Sequence, residues 1–235
     1  KFSVFGSINL NQRENKGGGF TNSDFYLSDT TYSSSIDRER MNNDKSVGGR
    51  VGFSLFPNNN NIFNFSFGFR SSDDDGNSNN FYKDYSSNGE LIGESKRFEN
   101  SSRISDNYNY NLSYTKNFNK KGHNLKLDYS WSSNNSENLS RYNEPLITLN
   151  QRTNQISERY DENIRLDYIY PFNSDKGKLE LGFRRDYDKM NSNYIAEQLY
   201  DERWIIIPPS NTYDYYQDVN ALYIQLGNQS GKFSY

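Results

Sequence analysis

Between Phe63 and Arg70 the chain alternates without interruption. Phe63, Phe65, Phe67 and Phe69 fall on one side of an extended backbone, and Asn64, Ser66, Gly68 and Arg70 on the other. A period of two marks a strand with one apolar and one polar face. The same rule separates Tyr108, Tyr110, Leu112 and Tyr114 from Asn109, Asn111 and Ser113, and Leu125, Leu127, Tyr129 and Trp131 from Lys126, Asp128 and Ser130. It separates Ile164, Leu166, Tyr168 and Tyr170 from Asn163, Arg165 and Asp167, with Ile169 the one exception. Val51, Phe53 and Leu55, then Leu179, Leu181 and Phe183, continue the pattern. A chain patterned this way forms antiparallel sheet, and whatever covers the apolar face decides the fold.

A second packed layer is a poor candidate for that cover. Apolar residues make up only 32% of the 235, against roughly 45–50% in soluble domains. A mean hydropathy of -1.06 points toward disorder, yet disordered chains are poor in aromatics and this one has 20 Tyr and 16 Phe. Little aliphatic core with abundant aromatic surface suits a barrel that is polar inside and aromatic outside. No run of about 18 apolar residues is present to form a membrane-spanning helix. A net charge of -3 without a Lys/Arg block argues against nucleic acid as a partner.

Turn chemistry supplies the second constraint. Short Gly, Asn, Asp and Pro clusters at 57–61, 119–122, 171–177 and 227–231 join strands in pairs. Long polar stretches at 11–45, 73–103, 139–157 and 195–212 separate the pairs and read as loops, with SNGE at 87–90 marking an added hairpin within 81–98. Short connections on one side and long ones on the other are the habit of bacterial outer-membrane barrels. Lipid offers no hydrogen-bond partners, so a spanning backbone must pair strand to strand. The expectation is an all-β, antiparallel transmembrane β-barrel segment over 1–235, with strands near 2–12, 46–56, 62–72, 104–118, 123–138, 158–170, 178–194 and 213–227, and another starting near 231. About 8–9 strands with strand-like sequence at both ends suggest an arc of a larger barrel. Phe63, Phe65, Phe67, Phe69, Leu125, Leu127, Tyr129 and Trp131 are the expected lipid-facing set.

Three segments carry a family likeness: SVGGRVGFSLFPNNNNIFNFSFGFRSSDDDGN, YNYNLSYTKNFNKKGHNLKLDYSWSSNNSENLSRY and NIRLDYIYPFNSDKGKLELGFRRDYDKMNSNY. Over most of 46–227 the chain resembles the barrel of TonB-dependent receptors and the outer-membrane β-barrel family related to them. The likeness lies in strand-and-turn style, with no catalytic signature. It implies a barrel of about 22 strands around a plug, a place in the outer membrane of a Gram-negative bacterium, and lipid, TonB and a surface lipoprotein as partners. Neither a plug nor a TonB box is visible in these residues.

Catalysis finds little support. There is no cysteine and only one histidine, His123, which rules out thiolate metal sites and leaves nucleophile–base triads without parts. His123 follows a predicted turn and is expected at the surface. SSDDDGNSNN (71–80) places Ser71, Asp73 and Asp75 at calcium-loop spacing before Gly76, but Tyr82 stands where a bidentate Glu is needed. It reads as a solvated loop. Glu158 with Asp161, and Asp186 with Asp188, are expected at strand ends in ion networks instead of as glycosidase pairs. No catalytic residue, metal or cofactor is assigned.

Aromatic residues in the long polar stretches are the candidates for ligand contact: Tyr82 and Tyr85 in one, and Tyr200, Trp204, Tyr213, Tyr215 and Tyr216 in or beside another. The apolar run WIIIPPS (204–210) is expected to fold onto a plug or a neighbouring loop. Three functions stay open. They are TonB-dependent uptake of a ligand, a passive pore or structural barrel of a surface or secretion assembly, and a soluble extracellular carbohydrate-binding β-protein.

Overall fold

The computed structural model describes residues 1–26, 31–147, 149–172, 176–230 and 233–234. They form one antiparallel sheet. Its strands are β1 (Phe2–Tyr26), β2 (Thr31–Asn58), β3 (Asn61–Ser86), β4 (Leu91–Asn117), β5 (Asn124–Glu144), β6 (Leu149–Phe172), β7 (Gly177–Tyr200), β8 (Arg203–Ile206), β9 (Asn211–Ser230) and β10 (Phe233–Ser234). Neighbours follow chain order from β1 to β7, then β9 and β10, while β8 pairs with β7 above β9. The sheet is not closed, and its form is that of an arc of barrel wall.

Register gathers the alternating residues into one face. Phe2, Leu55, Phe63, Tyr114, Leu127, Leu166, Phe183 and Leu222 occupy a single row across eight strands. The next rows of the same parity are apolar over most strands, one ending in Arg185 and Asn220 and the other beginning with Asn61 and Lys116, and rings meet across strands. Phe63 stacks on Tyr114 at 4.4 Å, Phe67 meets Tyr110 at 4.9 Å, and Tyr110 meets Trp131 at 5.2 Å. Each such pair contributes about 0.2–1 kcal/mol. No second layer covers this face among the described residues: Ala196 is the only buried hydrophobic residue, and Leu222 is 82% exposed.

The apolar band crosses the rows obliquely. Its upper edge is at Val47 on β2, a position whose register partners run through Ser71, Asp106, Asn135, Glu158 and Asn191 to Asp214 on β9. On β9 itself the band ends at Leu222, eight residues lower. The lower edge descends in the same sense, from Leu55 to Leu226. A drop of about one residue per strand, with a rise of about 3.3 Å and a strand spacing of about 4.8 Å, means a tilt of roughly 35° if the band is level.

The expected long loops are strands. β3 has two residues before Phe63 and seventeen after Phe69, so its hairpin with β4 rises about 45 Å beyond the band at that tilt. The stretches 11–45, 73–103, 139–157 and 195–212 belong mostly to strand, with a 3₁₀ turn at Pro145–Ile147. The turn at SNGE is where the sequence places it, with Gly89 at φ 80°. The hairpin between β7 and β8 turns on Asp201 and Glu202 at φ 45° and 64°, the handedness that a tight two-residue turn requires. The turn expected at 171–177 falls partly outside the described residues, as does the end of the one at 227–231.

Polar side chains brace these extensions. Asn143 donates to Asn150 at 2.6 Å, Gln151 to Gln198 at 3.2 Å, and Asn191 to Asp214 at 2.5 Å. A backbone ladder needs no apolar face where water wets both sides, and that is why alternation fades while pairing continues.

Candidate functional site

On the polar face, cations and carboxylates interleave from the level of the band to just above it. Arg159 Nη2 donates to Asp161 at 3.0 Å and to Asp188 at 2.9 Å. Arg165 pairs with Asp167 at 2.7 Å and Arg184 with Asp186 at 2.6 Å, while Asn163 donates to Asp186. Tyr223 lies over Gly182, where any Cβ would collide with its ring, and donates its hydroxyl to Asp167 at 2.7 Å. These are mid-strand positions, so Asp161, Asp186 and Asp188 are not at strand ends as expected. Glu158 and Asp161 are three apart in β6 and face opposite ways. They do not form a carboxylate pair.

The calcium-like stretch is likewise strand, lying within β3. Alternation sends Ser71, Asp73 and Asp75 to one face and Asp74 and Gly76 to the other, so no loop surrounds a cation there. Among the described residues no three acidic or histidine side chains cluster as a metal site.

A charged group ends the band on the apolar face. Arg185 makes paired bonds to Asp218 at 3.1 and 2.9 Å and approaches Glu162 at 3.6 Å, directly above Ile164 and Phe183. Near the opposite edge His123 is more enclosed than a bare surface residue. It stacks on Phe118 at 3.9 Å, and its Nε2 is 2.9 Å from the Tyr168 hydroxyl. Lys120 reaches Pro171 O at 2.5 Å across the same cluster.

The candidate ligand-contact aromatics do not converge. Tyr82 is on the polar side of β3, and Tyr85 is beside its turn. Tyr213 and Tyr215 stack at 6.5 Å on the polar face of β9, while Tyr216 points the other way to meet Tyr187 at 5.3 Å. Tyr200 is at the β7–β8 turn. Trp204, on β8, lies under Arg152 with the guanidinium 4.4 Å from the ring centre. Glu197 holds that guanidinium at 2.5 Å, and the same bond keeps the Glu197 carboxyl below its usual range.

WIIIPPS stays in the wall. After β8, Ile207–Ser210 bulges opposite Ala196, whose N–H donates to Ser210 Oγ at 2.9 Å and whose carbonyl accepts from Ile207 N at 2.9 Å.

Sequence reading missed an open depression of about 700 Å³ on the polar side of β1–β4, lined by Gly17, Gly19, Arg38, Arg40 and Tyr82 among others. Its sequence signal was the KGGG run at 16–19, hidden by reading 11–45 as loop.

Residues 116–235 match the model of the outer membrane protein beta-barrel family. No curated protein has a matching sequence. Among solved structures, the chain is similar to the ferric yersiniabactin uptake receptor FyuA of Yersinia pestis, at 10% identity and TM-score 0.39, over 98% of this chain and 45% of that one. It is similar to the siderophore receptor PiuA of Acinetobacter baumannii at 9% and 0.32, over 96% and 46%. The alcaligin receptor FauA of Bordetella pertussis follows at 9% and 0.31, over 98% and 41%. The chain thus spans less than half the length of each. With half of its residues matched by the family model, the chain belongs to the outer membrane protein beta-barrel family, and its place is the outer membrane of a Gram-negative bacterium.

Proposed function

We propose that this chain is wall and rim of a receptor barrel that takes up a ligand through its interior, energised by TonB. The observation that carries the reading is the division of the sheet. One oblique apolar band is continuous across eight strands, its other side bears ions and amides, and hairpins rise far beyond it on one side only. We read Phe63, Phe65, Phe67, Phe69, Leu125, Leu127, Tyr129 and Trp131 as contacting lipid, with Arg185 and Glu162 at the upper interface. Charged pairs such as Arg159 with Asp161 and Asp188 then face the interior, where they can meet water or a plug. The tall hairpins carry Tyr82, Tyr85, Tyr200 and Trp204, and Tyr213, Tyr215 and Tyr216 stand at their base; ligand capture is the role we give them. The wall itself performs no covalent step. Dependence on TonB rests on the likeness of 46–227 to TonB-dependent receptors.

Planar-bilayer recording on the full-length protein tests this. A receptor whose lumen is occupied passes no steady ion current at rest. A steady open-pore current from the untreated protein identifies a passive pore and sinks the uptake reading.

A further inference from the structure

On the polar face of the β1–β2 hairpin, two arginines stand where neighbours leave them open. Register sets Arg38 between Gly19 and Asn80, and Arg40 between Gly17 and Ser78. On this face Arg13, Arg50 and Arg70 meet amides or hydroxyls, and others meet carboxylates, as Arg97 meets Glu144 at 2.7 Å. Among the described residues neither Arg38 nor Arg40 makes an ion pair, and Arg40 donates only to Asn42, at 3.0 Å.

The glycines beside them are a second, independent observation. A Cβ on Gly17 or Gly19 would meet nothing within 4 Å, so packing does not demand glycine at either position. Glycine weakens a strand, and one use of it there is to let a ligand or another backbone come close. The space left open has a volume in the range of small-molecule sites, about 300–1,000 Å³. Around it stand amides, hydroxyls and the Tyr82 ring, with Glu99 on the far wall beyond Ser78.

We infer that this depression binds an acidic saccharide. Arg38 and Arg40 form a paired cation for one carboxylate or phosphate, which guanidinium forks grip with two bonds each. Asn80, Ser78 and Glu99 take hydroxyls, and Tyr82 offers a ring face to the sugar. The inference rests on the receptor reading in taking the polar face to line the interior, and it names that receptor's ligand class.

The test is calorimetric titration of the full-length protein in nanodiscs with galacturonate, glucose 6-phosphate, glucose and inorganic phosphate. At least one acidic sugar is expected to bind at least about tenfold more tightly than glucose or phosphate, the cost of losing one ionic contact. Tighter galacturonate identifies a carboxylate ligand, and tighter glucose 6-phosphate a phosphorylated one. R38A/R40A is expected to lose that binding. G17V/G19V fills the open space with strand-favouring residues, keeps both arginines, and is expected to lose it too. Heat-modifiable migration on gels confirms that each variant is folded. No binding of either acidic sugar, equal binding of glucose or phosphate, or unchanged binding in the folded double variants overturns the proposal. A steady bilayer current with acidic-sugar binding intact removes uptake and leaves the site; absent binding without current does the reverse.

Discussion

Phe65 lies in the apolar band between Phe53 and Leu112, and the next residue back, Asn64, points to the opposite face. On the proposed reading, one step along the strand therefore exchanges hydrocarbon for the polar side. F65R is expected to cost about 2–4 kcal/mol near the bilayer midplane, and N64R to cost little. The folded, heat-modifiable fraction recovered from outer membranes measures both; equal recovery would contradict the face assignment. Beyond the band, the Arg152–Glu197 pair against Trp204 answers to pH. A carboxyl held below its ordinary value by its partner keeps the contact at neutral pH and loses it as pH falls through that lowered value. The acid-induced change in Trp204 emission is expected to centre below the usual glutamate range and to vanish in E197Q. A midpoint at or above that range excludes the clasp.

At the scale of elements, Ser210 closes the bulge between β8 and β9. Its hydroxyl accepts from Ala196 N and lies 2.8 Å from Ile207 O, while Ala196 is only 4% exposed. S210A leaves that buried N–H without its partner, at about 1–3 kcal/mol. Hydrogen exchange at Ala196 is expected to accelerate by at least about fivefold, with β3 and β4 unchanged; uniform acceleration would instead indicate global loosening. These elements also show what the sequence could express. Where one face is apolar, alternation marks a strand: Phe63 to Phe69 lie in β3 and Ile164 to Tyr170 in β6. Where both faces are wet, Asn, Ser and Asp serve strand and loop equally, so 73–86 and 91–103 are indistinguishable from loop until their pairing is seen. The open arginines were hidden for that reason. Only register brings Arg38 beside Gly19 and Asn80, and no local pattern encodes a partner's absence. Tyr82, Trp204 and Tyr216 were legible as candidates by residue type, but their faces required the register.

At the scale of the molecule, the oblique band fixes which way is up. The β2–β3 turn is close below the band and the β3–β4 turn stands far above it. The chain has no cysteine, so single substitutions report cleanly. N88C is expected to react with an impermeant maleimide on intact cells, and N59C only after the outer membrane is opened. Reversed labelling would invert the orientation. The two edges of the arc add a requirement. Among the described residues β1 has β2 as its only neighbour, and lipid leaves no backbone group unpaired. Within the band, further strands must complete the wall.

Hairpins of paired strand differ from loops in what they ask of an arriving molecule. A loop that closes over its ligand surrenders backbone freedom on binding, at about 1–2 kcal/mol per residue ordered. The ladders joining β1 to β2 and β3 to β4 have settled that cost during folding. On the proposed function the rim meets its ligand already shaped, and association should follow a single exponential whose rate rises linearly with concentration, without a slow closing phase.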